Sequence, residues 1–392
     1  MSLSSEIKVC LITDALAKTG EVFLKEFLPL LTQIFNNLCI ITGNVNVNRL
    51  LTVQPDKNKI RIFNLKYTTS NILLWRVIKY IVKQLRISRY VFKPEVRQAK
   101  IIIFAWGGSL LLIPLLFLKI MRKKVVLIGA ASETKMSKKV YDYTIWGSFI
   151  IFSVALMEKI TYFLFDSIVV YSPAMINELN LKKWGQKVKI ADRHYIDFNT
   201  FKIEKKIKER VCVCGYLGRF SKEKGIENFL RAIEKILKNE ISIEVLIGGD
   251  GELKDYVIEF IANKGVGGQV KFLDWVPHES LPKYLNELSL LVIPSYTEGL
   301  PTIMLEAMAC GTPVLATPVG AVPEIIKDSK TGFILEDNSP EAIAQGIIRV
   351  IKFSEIEHVI TNAVNLVKTR NSFEAAVERY KKVFSEVLSN YG

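Results

Sequence analysis

Short apolar, β-rich runs alternate along this chain with stretches whose apolar residues recur every three or four positions. "IKVCLIT", "NLCIITG", "AKIIIFAWG", "KVVLIG" and "DSIVVYS" predict buried strands in the first half. "VCVCGYLG", "SIEVLIGGDG", "QVKFLDW", "LSLLVIPS" and "TPVLATP" do so in the second. Strands apolar on both faces and interleaved with helices belong to parallel sheets with right-handed crossovers. The pattern breaks at residues 194–211, "HYIDFNTFKIEKKIKERV", where a turn-like Asp197–Asn199 precedes a charge run. The expected fold class is α/β: two doubly wound Rossmann-like domains, residues 1–200 and 201–392. Ligands are expected at the carboxyl ends of the strands, in a central cleft. Near the end, residues 372–389 place Phe373, Val377, Tyr380 and Phe384 at helical spacing, predicting an amphipathic helix able to pack back on the first domain.

Three apolar segments bear on membranes. Residues 101–118 carry no charge over a length that could span. The Trp106-Gly107-Gly108 interruption instead predicts a strand, a tight turn and a helix. Residues 143–157, "YTIWGSFIIFSVALM", are short for a span and predict either a core helix or an interfacial one. In "NILLWRVIKYIVKQLRISRYVFK", Arg76, Lys79, Lys83 and Arg86 share one helical face. Leu74, Val77, Ile78, Ile81 and Leu85 share the other, with Trp75 at the boundary. A helix of that design suits a membrane interface, although an ordinary domain helix with a solvated basic face has the same pattern.

Charge shifts the choice. The net charge is +14, and its placement is uneven. Residues 1–200 hold 29 Lys/Arg against 13 Asp/Glu, whereas residues 201–392 hold 24 against 26. Residues 51–139 alone hold 19 basic and 3 acidic side chains. The first half is therefore expected to meet something anionic. At about 1 kcal/mol per basic residue near an anionic leaflet, a third of the surplus supplies on the order of 5 kcal/mol. Peripheral attachment to an anionic membrane through residues 51–139 is the reading preferred. Nucleic acid is disfavoured, because no helix-turn-helix, zinc-finger or RNA-recognition signature accompanies the charge. The opening "MSLSSEIKVCLITDAL" lacks a basic head and a long apolar core, so it predicts a first strand and not a secretion signal. Cys10, Cys39, Cys212, Cys214 and Cys310 sit mostly in apolar runs without metal-site spacing, as expected of buried, reduced thiols in a cytoplasmic protein.

The chemistry concentrates in the second half. In "PSYTEGLPTIMLEAMACGTPVLATPVG", a strand leads through a loop into a helix that Pro301 suits in its first turn and Gly311 closes. Gly299 and Leu300 would offer backbone amides at that helix start, where a phosphate is favoured. Glu298 stands beside this anion site, and Glu306 lies further along, about 7–8 Å of rise beyond Pro301. Carboxylates so placed can hold vicinal hydroxyls at the two ends of a diphosphate-bridged molecule. "GYLGRFSKEKG" contributes Gly218, which admits a ligand to the backbone, and two cations, Arg219 and Lys224. Both can stabilise charge on a departing diphosphate without a metal. "GGDGE", with Gly249, is a strand-ending turn that clears room for a ligand.

With these pieces in this order, followed by "FLDWVP" and "TGFIL", the chain resembles the retaining glycosyltransferases of GT-B fold in glycosyltransferase family 4 (group 1). The resemblance covers nearly all of the second domain, and its acid pair is the family's E-x(7)-E motif. It implies that Arg219 and Lys224 bind the donor diphosphate with the amides of Gly299 and Leu300. It implies further that Glu306 holds the ribose, Glu298 the transferred sugar, and the backbone near Val276 the base. Retention of anomeric configuration without metal or cofactor follows from the same likeness. The first domain fits more loosely. "TDALAKTGEVFLKEF" stands where the family has a double-glycine loop, with Gly20 alone, and none of His194, His278 or His358 falls where many members carry a histidine. Asp14, Gly20 and Glu133 are the acceptor-side candidates.

The function expected is transfer of a hexose-type sugar from a UDP- or GDP-sugar to an acceptor, lipid-linked, in cell-surface glycan assembly. The enzyme would sit on the cytoplasmic face of the plasma membrane. Alternatives are the same fold with a soluble acceptor, a nucleic-acid-binding protein, or a dinucleotide-dependent oxidoreductase. The last would want G-x-G-x-x-G after the first strand, which "LITDALAKTG" does not supply.

Overall fold

The computed structural model describes residues 7–15, 18–51, 59–68, 70, 72–105, 107–129, 132–141, 147–210, 214–239, 243–263 and 268–389. The chain divides into two compact units, Met1–Arg193 with Ala376–Gly392, and His194–Ala375. The seam read from the sequence, residues 194–211, begins at this boundary, while the domain division at 200/201 falls seven residues after it.

The first unit holds β1 (Lys8–Ala15), β2 (Asn37–Gly43), β3 (Ile60–Leu65), β4 (Ile101–Ala105), β5 (Lys124–Ile128), β6 (Ser167–Val170) and β7 (Val188–Ile190). They pair in parallel in the order β3-β2-β1-β4-β5-β6-β7. The second unit holds β8 (Cys214–Leu217), β9 (Val245–Gly248), β10 (Val270–Leu273), β11 (Leu291–Ile293), β12 (Val314–Ala316) and β13 (Phe333–Ile334). Their order is β10-β9-β8-β11-β12-β13, again parallel. Each order reverses direction once, between β1 and β4 and between β8 and β11, which is the doubly wound arrangement expected.

The strands are buried because helices cover both faces. In the helix Ile226–Lys238, Ile226, Phe229, Leu230, Ile233 and Ile236 all point into the core while charged residues face out. The last helix, Phe373–Ser389, closes the first unit's core. Tyr380 and Phe384 are fully buried, with ring centroids 5.2 Å from those of Phe27 and Phe35 respectively. Residues 101–118 resolve as β4, a short 3-10 turn and the helix Leu112–Ile120, as the glycine interruption predicts. Cys10, Cys39, Cys214 and Cys310 are buried, with Cys10 and Cys39 side by side on β1 and β2. Trp106 and Cys212 lie outside the described residues.

Candidate functional site

The carboxyl ends of β8, β9 and β11 open onto a cavity of about 400 Å³ within the second unit. It lies at the switch point between β8 and β11, where an open parallel sheet leaves a crevice. Gly218, Arg219, Lys224, Gly249, Val276, Glu298 and Glu306 all line it. Residues spread over nearly ninety positions of sequence thus face one space. Gly299 and Leu300 form the turn between Glu298 and Pro301 and are not on the cavity wall itself. A Cβ on Gly299 would meet nothing within 4 Å, so the turn is open to an approaching group.

Backbone geometry explains two of the glycines. Gly249 adopts φ +152°, and a Cβ there would stand 1.9 Å from the carbonyl oxygen of Gly218. The β8 and β9 turns can therefore touch only without a side chain. Gly320, at φ +57°, lies against the carbonyl of Glu298 at a virtual Cβ distance of 2.1 Å. With the Ala321 amide donating to the Gly299 carbonyl at 2.8 Å, this second contact fixes the loop that carries the acid.

Glu298 is held from two sides. Lys224 Nζ lies 2.7 Å from each of its carboxylate oxygens, and the Ser295 hydroxyl donates to Oε1 at 2.7 Å. Arg219 is exposed at the rim, its backbone carbonyl accepting from the Tyr216 hydroxyl at 2.7 Å. Glu306 projects from the helix Thr302–Ala309, in which Met304–Ala309 are all buried. Pro301 stands at the N-cap, one position before the helical turn the sequence assigned it, with Gly311 at φ +68° past the other end. Glu306 is only 3% exposed, so it is not a solvated helix residue; its Oε1 is 2.7 Å from His278 Nε2. Sequence reasoning set His278 aside, yet its place two residues past Val276 put it at the same strand end. Ser295 and Trp275, an exposed indole on the cavity wall, were also missed. Among the described residues, no group of three or more His, Cys, Asp or Glu side chains is arranged to hold a metal ion.

In the first unit, Asp14 is the next-to-last residue of β1 and forms an ion pair with Lys83 at 2.5 Å. Glu133 opens the helix Glu133–Tyr141 and accepts the Ser109 hydroxyl at 3.1 Å. Burial, aided by the carboxylates of Glu158 and Asp14, pushes the Glu133 carboxyl above its ordinary range. The two acids influence one another and form one polar cluster with Lys83 and Ser109. Gly20 lies in the first turn of the helix Lys18–Ile34, and residues 16–17 before it lie outside the described residues.

The basic helix, Leu73–Val91, buries Gln84, Ile87, Ser88 and Val91. Its face of Leu74, Val77, Ile78, Ile81 and Leu85 is turned to solvent together with Trp75. Lys83 is not part of the solvated basic face, because Asp14 draws it inward. Of the segment 143–157, residues 147–157 belong to the helix Gly147–Leu164, which is not a core helix; residues 143–146 lie outside the described residues. With mean hydropathy 1.4 and 22% of it buried, the helix is long and apolar enough to cross a membrane. Phe149, Phe152, Leu156, Ile160 and Phe163 stand exposed along one stripe of it.

Residues 197–366 match the model of the family "Glycosyl transferases group 1". The chain is 33% identical over 178 residues to the glycosyltransferase MJ1607 of Methanocaldococcus jannaschii, covering 45% of each. It is 25% identical over 293 residues to the capsular polysaccharide biosynthesis glycosyltransferase CapM of Staphylococcus aureus, covering 68% of this chain and 75% of CapM. The chain spans about half the length of several curated relatives that it matches, MJ1607 among them. Anabaena Alr3699/HepE, crystallised with UDP, superposes with a TM-score of 0.72 at 16% identity over 96% of this chain and 99% of its own. Residues 197–366 are thus similar to the glycosyl transferases group 1 family, and the chain as a whole has the GT-B fold.

Proposed function

We propose that this chain is a retaining glycosyltransferase that moves a hexose-type sugar from a nucleoside diphosphate to a lipid-linked acceptor. The observation that carries the reading is the single cavity onto which Arg219, Lys224, Glu298 and Glu306 converge. Arg219 and Lys224 bind the diphosphate, helped by the amides of Gly299 and Leu300 at the adjoining helix start. Glu306 takes the ribose hydroxyls, Glu298 the sugar, and the Val276 backbone the base. The structures of Anabaena Alr3699/HepE with UDP and UDP-glucose favour a uridine nucleotide as the first donor to try.

The acceptor hydroxyl attacks the anomeric carbon on the face from which the diphosphate leaves. The bond between that carbon and the phosphate oxygen breaks as the new glycosidic bond forms. The departing phosphate takes the hydroxyl proton, giving a glycoside and a nucleoside diphosphate with configuration retained. Cationic charge already in place at Arg219 and Lys224 lowers the cost of the developing anion, so no metal is needed.

The exposed apolar face of Leu73–Val91, set in a strongly basic half, supports attachment to the cytoplasmic face of the plasma membrane, where Asp14 and Glu133 would meet the acceptor. The role is in cell-surface glycan assembly, for which likeness to CapM is the supporting comparison. The test is transfer from a panel of UDP- and GDP-sugars to membrane lipid extract. Product should form with one donor and disappear in Arg219→Ala and Glu306→Ala. Full transfer by either variant would refute the site. Transfer to water-soluble glycans alone would replace the lipid-linked acceptor by a soluble one.

A further inference from the structure

Beside the Gly147–Leu164 helix lies a second cavity, of about 300 Å³, far in sequence from the donor residues. Lys135, Lys138, Lys159 and Lys183 all line it. Opposing them is one carboxylate, that of Glu158, which is buried and already accepts the hydroxyls of Thr134 and Tyr162. Lys135 already donates to the Glu178 backbone carbonyl at 2.8 Å and lies 3.9 Å from its carboxylate, so the basic excess at the cavity rests on Lys138, Lys159 and Lys183. On the same wall the indole Nε1–H of Trp184 is buried and has no acceptor among the described residues. That nitrogen is closed to solvent and so to a ligand in the cavity; what the indole offers is its ring, with the Lys183 and Lys187 ammonium groups 5.3 and 5.8 Å from its centroid.

The cavity adjoins an apolar surface on the same helix. Ala155, Glu158, Lys159 and Tyr162 face the cavity. Phe149, Phe152, Leu156, Ile160 and Phe163 follow one another at steps of three and four and stand exposed on the neighbouring face. At about 100° per residue, Lys159 falls at the border between the two. Lys187 caps the far end, 5.3 Å above the Phe163 ring. A basic hollow next to a stripe of exposed phenylalanines matches a molecule that is anionic at one end and hydrocarbon at the other. A second copy of the chain would bring like charges together and is the poorer fit.

We infer that this cavity binds the phosphate headgroup of an anionic lipid while the Phe149–Phe163 stripe lies among its acyl chains. The inference rests on the membrane attachment proposed above but concerns residues 132–187, a second anchor distinct from the basic helix Leu73–Val91.

Flotation with vesicles tests it. The full chain is mixed with phosphatidylcholine vesicles, and with vesicles in which phosphatidic acid or phosphatidylglycerol supplies a matched surface charge. The variants are Lys138→Gln/Lys159→Gln and Phe152→Ser/Phe163→Ser, with Ile81→Ser/Leu85→Ser on the basic helix as reference. All substituted side chains are solvent-exposed, and melting curves verify folding. Losing two lysines should weaken anionic-vesicle binding roughly 25-fold, about fivefold for each. It should also erase the wild type's preference between the two headgroups, which diffuse charge alone would not create. The phenylalanine pair should lose binding to every vesicle it otherwise binds. If both pairs floated like wild type while the basic-helix variant did not, the inference would be overturned and the membrane attachment would stand. If the wild type itself never floated, both would fall. If inorganic phosphate raised the melting temperature of wild type but not of the lysine pair, without flotation, the cavity would be a site for free phosphate and the lipid assignment would be wrong.

Discussion

In the unliganded protein Lys224 is committed to Glu298, and this makes an unusual prediction for nucleotide binding. Lys224 Nζ is 2.7 Å from both carboxylate oxygens, and the Lys224 side chain is 31% exposed against 8% for Glu298. At an effective dielectric of about 20, unit charges some 4 Å apart interact by about 4 kcal/mol; solvent access to the lysine lowers this to roughly 2 kcal/mol. An incoming diphosphate competes with Glu298 for the same ammonium. Lys224→Met removes the attraction and leaves a buried carboxylate facing the diphosphate, so UDP affinity should fall about 100-fold, near 3 kcal/mol. Glu298→Gln does the opposite: it releases Lys224 and removes a repulsion. UDP, which carries no sugar for Glu298 to hold, should bind about fivefold tighter, a gain near 1 kcal/mol. The double variant should recover a similar factor over Lys224→Met alone. Titration calorimetry with UDP at low and high salt reads all four proteins, and the differences should shrink with salt. Weaker UDP binding by Glu298→Gln, or a double variant no better than Lys224→Met, would refute the competition.

Other outcomes follow from the same contacts. Gly249→Ala, whose Cβ would stand 1.9 Å from the Gly218 carbonyl at φ +152°, should cost about 1–3 kcal/mol in urea unfolding and abolish the rise in melting temperature caused by UDP. Arg210 donates to the carbonyls of Leu285, Leu288 and Cys310 and to the Thr312 hydroxyl, so Arg210→Met should lower urea stability by about 3 kcal/mol and leave UDP affinity of the folded protein unchanged. Burial pushes the Glu133 carboxyl up, so its charged form carries a cost in the folded protein. Its folded pKa exceeds the unfolded one, so wild type gains stability as pH falls through the folded value. Glu133→Gln should therefore be the more stable protein at neutral pH, and its advantage should close as pH approaches 4.5, as thermal melts across that range would record.

The interior strands were legible because burial on both faces writes a continuous apolar run. Edge strands were harder. β3, β7 and β13, which the strand pattern did not pick out, each lie at a sheet edge, as does β10, which it did, and no residue of β3 is buried. At the candidate site, the acids, cations and glycines could be named from spacing. What spacing could not supply is which partner each would face. The Lys224–Glu298 pair spans 74 positions and the His278–Glu306 contact 28, so both depend on how β8 and the strands beyond it are ordered. The basic helix shows the same limit: its two faces were right in outline, but Lys83 was drawn inward by Asp14, a residue 69 positions away.

The last helix has a consequence for synthesis. Tyr380 and Phe384 complete a core whose other rings, Phe27 and Phe35, are made near the start of the chain. Everything from His194 to Ala375 emerges between them and forms a unit of its own. At about 5–20 residues per second, the earlier-made unit must wait on the order of 10–40 seconds for its final piece. On the ribosome the later-encoded unit is therefore able to finish first, while the amino-terminal one stays incomplete, its rings uncovered and in need of a chaperone, until translation ends.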